Sequence, residues 1–216
     1  MKKMASKLLV GFDEAGRGPL AGPVCAAAVI LPSAFPFEIL DDSKKLSEKK
    51  RAAAEAVIKE QACWGISLVD HKTIDKINIL EASMLAMQLA FDEMLKKLPA
   101  WLPRGEATCD NEETVSKSAV DNGEFYLEKL SGITDGTRCP NVPIDCRCEI
   151  KADAKYPCVM AASILAKTCR DCFMLEMDKK YPLYGYARHK GYPTKAHREI
   201  CHKLGPSPIQ RLTFKY

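Results

Sequence analysis

The stretch that decides the fold is GFDEAGRGPLAGPV, residues 11–24 of a chain of 216 residues. Two adjacent acids, Asp13 and Glu14, stand between an apolar run and a turn rich in glycine and proline. The flanking runs KLLVGF and GPVCAAAVILP predict two strands, the second fully buried. Successive strand residues face opposite sides of a sheet. Both acids can therefore serve one site only if the strand ends or kinks there, which the following glycines permit.

Two well-known phosphate-binding loops share part of this spacing. Gly11 and Gly16 are spaced as in a Walker A loop, but Arg17 and Gly18 stand where Lys and Ser or Thr are needed, which excludes a P-loop. Gly16, Gly18 and Ala21 satisfy the dinucleotide fingerprint, yet that motif must open a helix and here it leads into an apolar strand. An ordinary hairpin turn also uses glycine and proline, but it leaves the two acids and Arg17 unexplained.

Composition and charge are those of a globular protein with an uneven charge distribution. Apolar residues make up 47% and charged residues 28%, with a net charge of +4. Residues 151–216 carry 13 Lys and Arg against 5 Asp and Glu. This predicts a polyanionic partner such as nucleic acid, with a solvated cationic face as the alternative. The first apolar run is too short for an export signal, and none is long enough to span a membrane. We expect a cytoplasmic protein whose ten cysteines are reduced.

Strand and helix patterns alternate along the chain, which predicts an α/β fold. Helices are predicted in SEKKRAAAEAVIKEQA with Ser47 as the cap, in ILEASMLAMQLAFDEMLKKL, in PCVMAASILAKTCRDCFMLEMDKKY, which begins at Pro157, and in TKAHREICHKLG. Strands are predicted in CWGISLVD, in GEATCD, which ends at Asp110, and in VPIDCRCEIKAD, which leads to Asp153. Residues 112–141 have weak periodicity and are interpreted as an inserted surface loop or hairpin.

Acids therefore stand near the ends of three predicted strands, where they can converge. Four carboxylates in one cleft repel unless cations neutralise them, and oxygen ligands suit Mg²⁺ or Mn²⁺. The alternative is that Asp110 and Asp153 are ordinary strand-end or helix-capping residues.

The segment DEAGRGPLAGPV closely resembles the signature of the ribonuclease HII family, the type 2 ribonucleases H. Further segments resemble the family in its order: DSKKLSEKKR (42–51), INILEAS (77–83), KADAKYPCVMAASILAKTCRD (151–171) and HKGYPTKAHREICHKLGPSPIQRLTF (189–214). Only residues 112–141 are not covered. The resemblance implies a single catalytic domain over residues 1–216 with a ribonuclease H-like fold, a central mixed β-sheet flanked by helices. A small, basic, helical C-terminal part is implied at about residues 181–216.

The resemblance implies four carboxylates that hold two Mg²⁺ or Mn²⁺ ions: Asp13, Glu14, Asp110 and Asp153. The family usually has Gly after the third acid, whereas this chain has Asn111 there, with Glu112 and Glu113 as nearby substitutes. The implied reaction is hydrolysis of the RNA strand of RNA/DNA hybrids, or incision 5′ to a ribonucleotide in duplex DNA, leaving 3′-hydroxyl and 5′-phosphate ends. One metal activates water and the other stabilises the leaving oxygen.

The substrate contacts that the resemblance implies are Gly16, Arg17, Gly18, Lys44, Lys45, Lys167 and Tyr192. The turn formed by residues 16–18 would test the 2′-hydroxyl, because only this group distinguishes RNA from DNA at a given site. The Tyr192 ring would stack on the following deoxyribose, with an ordinary half-buried tyrosine as the alternative. The lysines would contact phosphates, which position a duplex without reading its sequence. We expect a monomer without an obligate protein partner.

Other clusters are interpreted as structural. Cys139, Cys146 and Cys148 match no common zinc spacing. The CxxC formed by Cys169 and Cys172 lies inside a predicted helix. His197 and His202 are five residues apart, a poor spacing for two residues on one helix face. Three competing classes are a different ribonuclease-H-like nuclease, ribonuclease HIII and a non-catalytic nucleic-acid-binding protein. A resolvase or transposase should lack the GRG turn and the Tyr192 motif. Ribonuclease HIII carries an extra N-terminal domain, and the non-catalytic class leaves the four acids unexplained.

Overall fold

The structure is a computed structural model that describes residues 7–40, 46–102 and 124–215. Its centre is a five-stranded sheet with the strand order β3-β2-β1-β4-β5. The strands are β1 Leu8–Ala15, β2 Val24–Ile30, β3 Cys63–Val69, β4 Leu130–Asp135 and β5 Asp145–Glu149. β1 pairs antiparallel with β2 and parallel with β4, so the sheet is mixed, as predicted.

Helices surround this sheet. The described α-helices are α1 Glu48–Gln61, α2 His71–Ile77, α3 Ile79–Trp101, α4 Glu124–Leu127, α5 Pro157–Lys180, α6 Tyr186–His189 and α7 Lys195–Leu204. Two of them, α1 and α5, begin where the sequence predicted. The Ser47 hydroxyl caps α1 by accepting a hydrogen bond from the Lys50 N–H at 3.3 Å. Pro157 stands in the first turn of α5, where its missing N–H costs no helical hydrogen bond.

Alternate side chains of β1 and β2 pack against helices on the two faces of the sheet. On one face Phe12 and Ala26 join a cluster with Met87 and Phe91 of α3. On the other face Ala27 packs in a cluster with residues of α1 and α5. Every residue of β2 is buried, which explains its unbroken apolar run.

β1 and α5 approach each other closely at Gly11. A Cβ atom at this position would lie 2.3 Å from the backbone carbonyl carbon of Cys158, so a larger residue would force the two elements apart. Because the backbones meet there, the first turns of α5 lie beside the acidic end of β1.

β4 corrects the interpretation of residues 112–141 as an inserted loop. Residues 130–135 form a strand between β1 and β5, with Leu130 and Ile133 in the core. The strand was missed because it is short and its apolar residues are interrupted by Ser131 and Thr134, which weakens the alternating pattern. Residues 112–123 lie outside the described residues.

The segment before α5 also differs from the expectation. The predicted strand VPIDCRCEIKAD is limited to β5, and Asp153 lies beyond it in a single 3-10 turn, Ala152–Ala154. Lys151 precedes this turn in a left-handed conformation, with φ at 62°. Asp153 is therefore positioned by a turn rather than by the end of a strand.

The residues after α5 form the small helical part that was predicted. Tyr186 of α6 packs in a cluster with Ala21, Met174 and Ile209. α7 is capped by Thr194 and followed by Gly205. Among the described helices, none combines the length and the apolar character needed to cross a membrane.

Candidate active site

A cavity of about 470 Å³ opens where β1, β4 and α5 come together. We call it the acidic cavity, and its lining residues are Asp13, Glu14, Ala15, Gly16, Arg17, Gly18, Asp135, Asp153, Ser163, Lys167 and Tyr192. A larger cavity of about 680 Å³ lies beside Trp64 and Trp101, but the described residues that line it include a single acid, Glu60. Of these two cavities, the acidic cavity contains the described acids and substrate-contact residues that the sequence singled out.

Asp13 and Glu14 both reach the acidic cavity although β1 continues to Ala15. Asp13 is buried and its Oδ1 accepts a hydrogen bond from the Glu14 N–H at 2.7 Å. The Glu14 carboxylate lies 3.3 Å from the Arg17 guanidinium, which draws it toward the turn. The two acids are thus brought to one site at the last residues of the strand, with no break between them.

Asp135 is the acid that the sequence analysis missed. It ends β4, which runs parallel to β1, and the carboxyl ends of parallel neighbours meet at the same sheet edge. Its Oδ1 accepts a hydrogen bond from the Ala152 N–H at 2.8 Å, which joins it to the turn that carries Asp153. The glycine that follows it, Gly136, was the signal that could have found it, because the family usually has Gly after the third acid. Asp110 and the strand predicted before it lie outside the described residues, so that placement stays a prediction.

The electrostatics of the acidic cavity favour a bound cation. Burial raises the pKa of Asp13 well above its ordinary value, and the charges of Glu14 and Asp135 raise it further. Hydrogen bonds from the Ser163 hydroxyl and the Glu14 N–H oppose this rise in the pKa. A divalent cation would offset the repulsion, and an all-oxygen donor set fits a hard ion such as Mg²⁺ or Mn²⁺.

The carboxylates line an open cavity rather than a closed cage. Within the part of the chain that the structure describes, no three His, Cys, Asp or Glu side chains are close enough together to enclose a metal ion. The side chains would therefore have to converge around a cation.

The predicted substrate contacts lie on the other side of the acidic cavity. Gly18 and Arg17 are exposed, and a Cβ atom at Gly18 would lie 3.9 Å from Cε1 of Tyr192. Tyr192 is 38% exposed. The Lys167 ammonium pairs with Asp171 at 2.8 Å and lies 5.8 Å from the centre of the Tyr192 ring. Lys44 and Lys45 lie outside the described residues.

Gly16 differs from Gly18 in a way that the sequence did not reveal. Gly16 is buried with φ at 101°, and a Cβ atom there would lie 2.2 Å from Nε of Arg170. Gly16 is therefore required by packing, whereas a Cβ atom at Gly18 would make only an ordinary van der Waals contact with Tyr192.

The remaining sequence clusters do not contribute to the acidic cavity. Cys169 lies against the buried Cys25 thiol, whose hydrogen bond lowers the pKa of Cys169 to about 7. His197 is buried and stacks on His189 with ring centres 4.2 Å apart, whereas His202 is exposed.

Comparisons with known proteins agree with this fold. The family model described as Ribonuclease HII matches residues 10–216. A ribonuclease HII of Dechloromonas aromatica is 43% identical over 208 residues, which are 96% of this chain and 90% of that protein. A ribonuclease HII of Treponema denticola is 44% identical over 209 residues, which are 96% of this chain and 98% of that protein.

Solved structures share the fold at lower sequence identity. The ribonuclease H2 of Pyrococcus horikoshii aligns with a TM-score of 0.63 and 23% identity, covering 96% of this chain and 93% of that one. The ribonuclease HII in a complex with PCNA from Archaeoglobus fulgidus aligns with a TM-score of 0.62 and 22% identity, covering 97% and 96%. Bst-RNase HIII in complex with Mn²⁺ aligns with a TM-score of 0.60 and 17% identity, covering 98% of this chain and 68% of that one.

A mixed sheet flanked by helices, with acids at the ends of neighbouring strands, defines the class as an α/β protein with a ribonuclease H-like fold. Within that class, the family match over nearly the whole chain decides the assignment. The chain belongs to the ribonuclease HII family, and it is accordingly a nuclease of the hydrolase class.

Proposed function

We propose that the chain is a metal-dependent endoribonuclease that hydrolyses the RNA strand of RNA/DNA hybrids and incises 5′ to ribonucleotides embedded in duplex DNA. The cleaved strand is left with 3′-hydroxyl and 5′-phosphate ends, as ribonucleotide excision and primer removal require. The proposal is carried by one observation, the sharing of a single cavity by four carboxylates and the turn at residues 16–18.

The proposed cofactor is Mg²⁺ or Mn²⁺, with Asp13, Glu14, Asp135 and Asp153 as the residues that hold it. Such an ion, when bound, lowers the pKa of a coordinated water and offsets the charge on the leaving oxygen. Asp135 now takes the place that the resemblance gave to Asp110. The Mn²⁺ complex of Bst-RNase HIII, a protein with the same fold, supports this choice of ion.

The protein's own task is to hold the scissile phosphate in line and to test the sugar beside it. Arg17 and Lys167 border the cavity as cationic groups for phosphates, and these contacts would position the duplex irrespective of its base sequence. Gly18 has no side chain and so leaves room for a sugar, and the partly exposed ring of Tyr192 can stack on the neighbouring deoxyribose. Contacts from Lys44 and Lys45 stay predictions.

We also propose that residues 1–216 act as one catalytic domain, as a cytoplasmic monomer without an obligate protein partner. The PCNA complex of the Archaeoglobus fulgidus protein makes a protein like PCNA the alternative partner. Light scattering of the purified chain, together with its activity in the absence of any other protein, tests this part of the proposal.

The deciding experiment is cleavage of a DNA duplex that contains one ribonucleotide, with either Mg²⁺ or Mn²⁺. We expect wild type to cut once, 5′ to the ribonucleotide, and Asp13→Asn to be at least about 100-fold slower, because losing even an outer partner of a metal ligand costs 10- to 100-fold. An inactive wild type with both metals would overturn the enzyme proposal. Full activity of Asp13→Asn would overturn the assignment of the site.

A further inference from the structure

Two arginines are completely buried behind the turn at residues 16–18. Arg170 of α5 is 1% exposed and Arg211, beyond α7, is 0% exposed. Neither forms an ion pair with a carboxylate among the described residues. Burying an unpaired guanidinium is costly unless hydrogen bonds satisfy it. Two such side chains in one place therefore call for a structural or functional reason.

Both guanidinium groups bind backbone carbonyl oxygens of one short segment. Arg211 donates from Nη2 to Gly16 O at 2.7 Å and to Pro23 O at 3.0 Å, from Nη1 to Arg17 O at 3.1 Å and from Nε to Gly22 O at 2.9 Å. Arg170 donates from Nε to Pro23 O at 2.9 Å and from Nη2 to Ala21 O at 3.1 Å. Together they hold the loop between β1 and β2 by its carbonyl groups.

These hydrogen bonds to the carbonyl oxygens fix the direction in which the peptide N–H groups of the turn point. In a planar trans peptide the C=O and N–H bonds point in opposite directions, and the described residues contain no cis peptide. Because Gly16 O and Arg17 O point inward to Arg211, the N–H groups of Arg17 and Gly18 point outward. Both residues are exposed, and neither N–H donates a hydrogen bond to another described residue. Hydrogen bonds to a charged donor also polarise the peptide unit and strengthen its N–H as a donor.

Arg170 additionally joins the turn to the loop that carries Tyr192. Its Nη1 donates to Lys190 O at 3.0 Å, and its guanidinium carbon lies 5.7 Å from the centre of the Tyr192 ring. The Leu20 N–H donates to Gly191 O at 2.8 Å, which adds a second link. The two elements proposed to contact the sugars therefore share one buried support.

We propose that Arg211 and Arg170 are positioning residues for sugar recognition, which aim the Arg17 and Gly18 N–H groups at the 2′-hydroxyl and hold Tyr192 in register with them. The inference rests on the proposed function, since it specifies how the same cavity selects a ribonucleotide. Lysine cannot replace either side chain, because one ammonium lacks the planar fork that reaches several carbonyls at once.

The test compares wild type with Arg211→Lys and Arg170→Lys, using the matched exposed control Arg198→Lys on α7. The probes are a duplex with one ribonucleotide and the same duplex made entirely of DNA. Affinity for each is measured by fluorescence anisotropy without metal, and kcat and KM are measured with Mn²⁺ on the ribonucleotide duplex. Circular dichroism establishes that each variant is folded at the assay temperature.

We expect both lysine variants to lose the preference for the ribonucleotide duplex, with kcat lower on the order of 100-fold because the sugar and phosphate are misplaced by about 1 Å. Affinity for the all-DNA duplex should stay within about 2-fold of wild type, as should every value for Arg198→Lys. A purely structural role would lower stability and leave the preference of the folded fraction intact.

Folded variants that keep the wild-type preference within about 2-fold overturn the inference. If Arg211→Lys does not fold, Arg170→Lys decides by the same measurements, and failure of both to fold assigns the arginines to stability and overturns the inference too. A wild type without any ribonucleotide preference contradicts the proposed function itself, which separates the two failures.

Discussion

On one side of the acidic cavity Asp13 is buried beside two other carboxylates, whereas on the other side Arg170 and Arg211 are buried among carbonyl oxygens. The acidic side carries negative charges that repel one another, and a bound cation would offset that repulsion. The turn side carries positive charges whose donors are already satisfied, so its geometry exists before any ligand arrives. Under the proposed function, a preformed turn would therefore test the sugar, while the carboxylates would close around the metal.

The largest expected effect distinguishes Asp135 from Asp110 on the acidic side. Asp135→Asn should reduce cleavage by at least about 100-fold, because a carboxylate ligand is lost while the amide oxygen still accepts from the Ala152 N–H. The cleavage activity of Asp110→Asn, measured in parallel, should decrease far less than that of Asp135→Asn. If Asp110→Asn lost more activity than Asp135→Asn, the metal ligand would be Asp110 and not Asp135.

A smaller effect is expected at Tyr192 on the turn side. Tyr192→Ala should lower kcat/KM on a duplex with one ribonucleotide by about 10-fold, since a base or sugar stacked on an aromatic ring is worth about 1–3 kcal/mol. Tyr192→Phe keeps the ring and should retain most of the activity. Equal losses in the two variants would assign the effect to the hydroxyl and contradict stacking.

The two outer glycines of the turn should separate stability from recognition. Gly16→Ala should lower the free energy of unfolding by roughly 2 kcal/mol, because φ is 101° and the new Cβ would meet Arg170. In Gly18→Ala the new Cβ would make only an ordinary van der Waals contact with Tyr192, so stability should change by less than about 0.5 kcal/mol. Thermal unfolding measures the stability of both variants. Equal destabilisation by the two substitutions would contradict the difference in packing between Gly16 and Gly18.

The smallest expected effect is the pH dependence of stability on the acidic side. The pKa of Asp13 is raised in the folded chain, so without metal this group favours folding at low pH, and that contribution is lost as pH rises through its folded pKa. Added Mn²⁺ should reverse the trend, since the metal binds the deprotonated form. Melting temperatures between about pH 4 and 8, with and without Mn²⁺, should differ by a few degrees at the upper end.

The matched control is Asp13→Asn, which carries no ionisable group at this position. We expect its metal-free melting temperature to vary less with pH and its response to Mn²⁺ to be weaker than that of wild type. If both proteins respond to Mn²⁺ alike, the ion does not bind at Asp13.

Much of the fold could be predicted from local sequence. The runs around residues 11–24 predicted β1 and β2, and the Ser47 cap and Pro157 predicted where α1 and α5 begin. These predictions succeeded because strand alternation, apolar coverage and capping act over a few residues. β4 was missed for the same reason, since its place in the sheet depends on pairing with β1 more than a hundred residues away.

The sequence by itself determined that Asp13 and Glu14 precede a glycine turn, that α5 carries Lys167, and that the family motifs follow in order. Only the tertiary structure decided that Asp135 joins the acids and that Arg211, 195 residues after Gly16, holds the turn by its carbonyl oxygens. The physical reason is that local patterns record which face of an element is buried. A hydrogen bond between distant residues depends on how the elements pack, and no short segment encodes that.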